Sequence, residues 1–318
     1  MAPIPVTLIT GFLGAGKTTL VNELLRTPGP RRLGVLVNEL GDVGIDGELM
    51  GEEADGVVEL TSGCLCCSVR GELSDSLTSM ARIEPPPDGI VVETTGLADP
   101  GPVIDTVAWL PDLLRLDALV TVADARTCLR LLDDPELGEA RRQVELASTI
   151  VVSKSDLVDA DALEDARGRL RALNPLAELH LGAREAAGHV LASGAFDASR
   201  AETVSHDDHD HDHDHHDHAA VDTVSVEQPG ELDPEQVEMW LMTLRFFDSS
   251  QLHRLKAVLA VAGEERRFVI HGVQGYLDTG HGRPWGDAPR VSRLVAIGRD
   301  LDQDMWRSGL RGCAVRED

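Results

Sequence analysis

Basic charge is short in this sequence. Lys and Arg total 29 against 55 Asp and Glu, for a formal net charge of −26 over 318 residues. So acidic a chain has no sequence-independent grip on a phosphate backbone or an anionic membrane face, which argues against nucleic acid and lipid as partners. Long apolar runs are missing too. No stretch reaches the ~18 residues of a membrane span, and the N-terminal stretch lacks the basic and apolar regions of an export signal. The expectation is a cytoplasmic protein. Cysteine is scarce, five in all, and three fall within four positions, too close for ordinary disulfide pairing and suited to a reducing compartment. What is present is a 42% hydrophobic content, that of a globular protein, over a length that suits two domains.

The first strong signal is Gly11-Phe12-Leu13-Gly14-Ala15-Gly16-Lys17-Thr18-Thr19, which follows the apolar run Val6-Thr7-Leu8-Ile9 and precedes a stretch with helical periodicity. It fits G-x-x-x-x-G-K-[ST]: the glycines let backbone N–H groups point at phosphate oxygens with no Cβ in the way. Lys17 is expected to reach the β- and γ-phosphates and the Thr18 hydroxyl to ligate Mg²⁺, while the helix that follows turns its positive end to the anion.

Further strands are expected at 33–37, 56–60, 90–93, 118–123, 150–153 and 178–181, several of them continuous Val/Ile/Leu runs buried on both faces. Helical patterns at 72–82, 136–147 and 161–173 alternate with them. The predicted fold class is α/β, a P-loop nucleotide-binding fold on a mostly parallel sheet, and ligands of such sheets bind beyond the carboxyl ends of the strands.

Chemistry-bearing residues do follow the strands. After the second comes Asn38-Glu39-Leu40-Gly41-Asp42-Val43-Gly44-Ile45-Asp46, which is either a switch that reorganises around Mg²⁺ and a γ-phosphate or a solvated acidic turn. The fourth strand closes on Glu93-Thr94-Thr95-Gly96, where Glu93 can hold the Mg²⁺ shell and the Gly96 N–H can sense the γ-phosphate. The sixth closes on Ser153-Lys154-Ser155-Asp156, similar to the guanine signature N-K-x-D. There Asp156 would accept from guanine N1–H and its exocyclic amine, groups adenine lacks, and the Lys154 stem would lie along the base. Ser153 stands where that signature has Asn.

Between the third and fourth strands lies Thr61-Ser62-Gly63-Cys64-Leu65-Cys66-Cys67-Ser68. Three thiols on one short loop can converge on a borderline cation such as Zn²⁺, and the absence of a nearby fourth ligand suits a site that releases its ion. Cys128, Cys313 and His271 stand alone and read as core residues. A second concentration of metal-binding groups runs over 206–218. It holds His206, His209, His211, His213, His215, His216 and His218, seven of the twelve histidines, interleaved with Asp. With no apolar residue it is expected to be disordered and to capture divalent metal weakly.

Gly11 to Thr19, Asn38-Glu39, Gly63-Cys64-Leu65-Cys66-Cys67 and Glu93-Thr94-Thr95-Gly96-Leu97-Ala98-Asp99-Pro100, in this order, resemble the CobW-type GTPases, P-loop metallochaperones similar to the nickel-handling urease and hydrogenase accessory GTPases. The resemblance extends past the histidine tract, through Leu252-His253-Arg254-Leu255-Lys256, Arg267-Phe268-Val269-Ile270-His271-Gly272-Val273 and Ser292-Arg293-Leu294-Val295-Ala296-Ile297-Gly298. It implies Mg-GTP at Gly14, Gly16, Lys17, Thr18 and Thr19, and Gly11 and Ala15 of the same loop are expected to join them. It also implies Glu39 and Asp46 in the first switch, Glu93 at the magnesium, and a transition metal at Cys64, Cys66 and Cys67. Lys17, Glu39 and Glu93 form the expected catalytic set, Asp46 joins Thr18 and Glu93 at Mg²⁺, and Gly96, Lys154 and Asp156 complete nucleotide binding. The expected organisation is a GTPase domain over 1–182, a linker over 183–223 and a smaller α+β domain over 224–318. The expected activity is slow GTP hydrolysis coupled to delivery of Zn²⁺, or alternatively Co²⁺ for cobalamin synthesis, to a client metalloprotein, with a homodimer left open. A metal store with a nucleotide switch is the reading from another class.

Overall fold

Strands that are apolar on both faces need cover on both sides, and a parallel sheet between helices supplies it. In the computed structural model, which describes residues 2–27, 32–38, 57–62, 69–96, 98–193, 221–245 and 251–315, the chain divides into units Met1–Ala195 and Phe196–Asp318. The first unit contains β1 (Ile4–Thr10), β2 (Leu33–Asn38), β3 (Val57–Ser62), β4 (Gly89–Glu93), β5 (Leu114–Asp124), β6 (Thr149–Ser153) and β7 (Glu178–Leu181). They make one seven-stranded sheet in the order β3-β2-β4-β1-β5-β6-β7, with every pairing parallel. β4 is buried along its whole length and β5 along all but one residue.

The helices that pack with this sheet are α1 (Lys17–Arg26), α2 (Val69–Ala81), α3 (Gly101–Ala108), α4 (Cys128–Asp133), α5 (Gly138–Leu146), α6 (Ala160–Leu173) and α7 (Ala183–Ser193). Their apolar spacing explains the packing: α2 buries Leu73, Leu77 and Met80, and α6 buries Ala166, Leu170 and Leu173, in each case one stripe of a 3.6-residue period. Asp159 caps α6 by accepting from the Ala162 N–H at 2.8 Å. The chain leaves β1 for β2 on one side, returns to lay β4 against β1, and then crosses to β5 on the other side. The carboxyl end of β1 is therefore the switch point of the sheet, where a ligand crevice forms.

The second unit is an antiparallel sheet of β8 (Asp222–Pro229), β9 (Leu252–Leu259), β10 (Arg266–Val273), β11 (Tyr276–Pro284) and β12 (Val291–Gly298), ordered β11-β10-β9-β12-β8, with α8 (Pro234–Arg245) and α9 (Gln303–Gly312). Alternate residues Leu255, Ala257 and Leu259 join Trp306, Leu310, Val237 and Leu244 in its core. Trp240 meets Trp306 edge to face at 6.4 Å. Cys128, Cys313 and His271 are all buried, and burial pushes the Cys313 thiol up to about 11, so these residues sit in the core as expected.

One expectation needs correction. The linker expected from 183 opens instead with α7, whose Ala186, Ala187 and Val190 pack with Leu20, Val21 and Leu24 of α1. Its stripe is mostly alanine, which reads weakly in hydropathy yet allows close helix contact. The interval's far end, up to 223, already belongs to β8. The second strand of the C-terminal hairpin, β11, was also not anticipated. It is an edge strand whose Tyr276-Leu277-Asp278-Thr279-Gly280-His281-Gly282 run has no apolar alternation. Among the described residues no helix is long and apolar enough to cross a membrane.

Candidate nucleotide site

The loop after β1 is shaped for an anion before any ligand is considered. Gly11, Gly14 and Gly16 have φ of 137°, 71° and 100°, and a Cβ on Gly11 would lie 2.2 Å from the Val122 carbonyl oxygen of β5. Gly16 stands at the N-cap of α1 without a side-chain cap, and no acidic residue occupies the first turn. A helix start with neither a side-chain cap nor an acidic residue favours an anion from outside the chain. Lys17 is buried at 8% exposure, its ammonium donating to the Gly11 carbonyl at 2.8 Å and the Phe12 carbonyl at 3.3 Å. Ala15 is buried against the sheet, whereas Thr19 faces out from the first turn.

Parallel register delivers the next group. Ile9 is level with Glu93, so β4 ends beside the phosphate loop, and the Thr18 hydroxyl donates to Glu93 Oε1 at 2.9 Å. A hydroxyl and a carboxylate oxygen, both hard donors, meet at the start of the phosphate helix. That donor chemistry fits Mg²⁺, and Thr18 and Glu93 are the residues that would hold it. Beyond Glu93, Thr94 is tied to β1 through its N–H to the Ile9 carbonyl and its hydroxyl to Thr10. Gly96 then presses on the loop itself: a Cβ there would lie 2.5 Å from the Leu13 nitrogen.

The stretch that resembles a guanine signature meets the same loop. β6 ends at Ser153, whose hydroxyl donates to the Ala15 carbonyl at 2.6 Å. The serine at the Asn position of the guanine signature therefore buttresses the phosphate loop directly. Lys154 adopts a left-handed conformation at φ 54° and donates to the Gly14 carbonyl at 2.5 Å, while Asp156 lies exposed in the short 3₁₀ turn Ser155–Leu157.

Three residues escaped the sequence reading. Asp124, at the carboxyl end of β5, accepts from Lys154 at 2.8 Å and from the Arg126 guanidinium at 2.8 and 3.1 Å. Burial alone would raise this carboxyl, but the bonds from Arg126 and Lys154 outweigh it and hold it well below the usual carboxylate range. Gln143 of α5, buried at 1% exposure, donates to the carbonyls of Ala98 at 3.0 Å and Gly96 at 3.4 Å and so clamps the turn after β4. A signal existed for Asp124 and, beside it, Arg126. The expected strand at 118–123 stopped one residue short of a carboxylate placed as Glu93 is on β4. Gln143 had no such signal.

Glu39, Asp46, Cys64, Cys66, Cys67 and the histidines His206, His209, His211, His213, His215, His216 and His218 all lie outside the described residues. Among the described residues no group of His, Cys, Asp and Glu gathers as a metal site.

A parallel sheet with a glycine-rich loop at its switch point, a lysine in that loop and a strand-end carboxylate on its threonine defines a P-loop nucleotide-binding protein. Comparison with known families makes the assignment specific. Residues 5–180 match the CobW/HypB/UreG nucleotide-binding domain and residues 221–314 the cobalamin synthesis protein cobW C-terminal domain; the chain belongs to this family. It is 33% identical to the zinc chaperone CobW of a Sinorhizobium species, covering 96% of each chain. It is 31% identical to the zinc chaperone YjiA of Escherichia coli, covering 98% of this chain and 99% of that one. A crystal structure of a zinc(II)-bound triple mutant of YjiA GTPase superposes with a TM-score of 0.71 at 27% identity, covering 99% of this chain and all of the other.

Proposed function

We propose that the chain is a GTP-dependent metallochaperone that holds Zn²⁺ and passes it to a client protein as GTP is hydrolysed. The single observation that carries this reading is the joining of base and phosphate recognition. Ser153 and Lys154 of the guanine-type motif bond to successive carbonyls, Ala15 and Gly14, of the phosphate loop.

The protein is a GTPase, and its residues divide the work. Backbone N–H groups at the start of α1 and the Lys17 ammonium take the phosphates, so the chain supplies positioning and positive charge rather than covalent chemistry. Asp156 selects guanine by accepting two hydrogen bonds that adenine cannot offer. Thr18 and Glu93 would hold Mg²⁺, which when bound neutralises charge developing on the phosphate oxygens. Gln143 holds the Gly96 turn against the loop, so that the Gly96 N–H can register whether a γ-phosphate is present. Glu39 and Asp46 are proposed for the first switch. None of these is a strong general base, and slow turnover is expected until metal or a partner arrives.

The metal is proposed to sit on Cys64, Cys66 and Cys67, with the histidine tract as a weaker auxiliary. Zinc is favoured by the thiol set and by the names of the full-length relatives. Cobalt is the second reading, since the C-terminal match is to a family described through cobalamin synthesis; competition between the two ions for the purified chain separates them. The deciding measurement for the whole reading is phosphate release from Mg-GTP with and without Zn²⁺, compared with Lys17→Ala. Release above that variant, changed by the metal, is expected. Release no greater than that of Lys17→Ala would leave a metal store as the better account.

A further inference from the structure

The carboxyl end of β5 carries a group for which neither the phosphate loop nor the base motif accounts. Asp124 is level with Ser153 in the β5–β6 register, at the start of the turn that carries Lys154 and Asp156. It is 7% exposed and fully used: Oδ2 takes the Lys154 ammonium and one Arg126 nitrogen, and Oδ1 takes the Arg126 Nε and backbone N–H. Lys154 in turn reaches over to the Gly14 carbonyl from a left-handed backbone that lysine rarely adopts, so something beyond local preference must hold it.

We propose that Asp124 is a positioning residue for base recognition: its carboxylate pins the Lys154 ammonium to the phosphate loop, so that the lysine stem and the Asp156 turn are set before nucleotide arrives. An ammonium has three donors and a flexible four-carbon stem, and two fixed acceptors remove most of that freedom. With Lys154 anchored at Asp124 and Gly14, its stem has one course, across the face where a base would lie. Without Asp124 the ammonium keeps only a neutral carbonyl partner, and nucleotide binding must order the stem itself. This inference rests on the guanine-nucleotide reading above.

The test measures GDP, ADP and inorganic tripolyphosphate binding to the full chain carrying Asp124→Asn, Lys154→Ala or both. Tripolyphosphate engages the phosphate loop and has no base. Asp124→Asn should weaken GDP about tenfold, as expected for the loss of a charge-assisted hydrogen bond. Tripolyphosphate affinity should stay within about twofold. The double variant should lose no more GDP affinity than Lys154→Ala alone, because Asp124 acts through that lysine. Additive losses, an unchanged GDP affinity in Asp124→Asn, or an equal loss for tripolyphosphate would each overturn the assignment. A native chain that binds ADP as tightly as GDP would instead remove the guanine reading and this inference with it, an outcome distinct from the others because it is seen without any substitution.

Discussion

Gly96 is held against the phosphate loop so closely that a methyl group would sit 2.5 Å from the Leu13 nitrogen and 2.8 Å from its Cα. Gly96→Ala must push that loop away from β4 while leaving the sheet intact. Since displacements of about 1 Å at a reacting centre cost up to roughly 10²-fold in rate, phosphate release should fall by about that factor with little change in melting temperature. Asp124 makes a different kind of prediction. Its carboxyl is held low in the folded chain, so the folded state binds fewer protons there than the unfolded state does. The resulting stability is complete above the unfolded value of about 4 and drains away as pH falls below it. Asp124→Asn should therefore lower the melting temperature at about pH 6 and make progressively less difference toward about pH 3. A gap that widened in acid would contradict the ion pairing.

Among the elements, α7 bears most directly on the site because it braces the helix that carries Lys17 and Thr18. Ala186, Ala187 and Val190 cover Leu20, Val21 and Leu24 of α1, and the stacked rings of His180 and His189, 4.7 Å apart, tie α7 to β7. A chain ending at 182 would expose that face, at a cost of roughly 3 kcal/mol from the valine and its apolar neighbours. Thermal unfolding of chains ending at 182 and at 195 should thus differ clearly, the shorter melting lower and binding GDP more weakly. Equal melting would return 183–193 to the linker. Strand types and most helices were legible because their patterns are local: β4 and β6 are continuous apolar runs, and Asp302 announces α9 by accepting from the Asp304 and Met305 N–H groups. α3, α4, α7 and β11 were not, since the first two are short, α7 buries alanines and β11 is an edge strand.

For the whole molecule, the proposed division of labour sets a tight, nucleotide-coupled ion at Cys64, Cys66 and Cys67 against loose capture by the tract at 206–218. Removing the tract should lower the number of Zn²⁺ ions bound and leave one tight site that strengthens with GTP; Cys66→Ala should do the reverse. By linkage, the tight ion must raise GTP affinity by the same factor. A titration in which Cys66→Ala kept the coupled ion would move the working site to the histidines.

By itself the sequence determined the phosphate loop, the carboxylate at the end of β4, the base motif and the two-part fold. Each is written in contiguous residues, because an anion cradle, a strand end and a turn are local structures. Tertiary structure decided what those pieces do to one another. Ser153 and Lys154 reach Ala15 and Gly14 across 138 and 140 positions, Asp124 meets Lys154 across 30, and Gln143 reaches Ala98 across 45. Such pairs exist only once parallel register has aligned the ends of β1, β4, β5 and β6, and no spacing along the chain encodes that alignment.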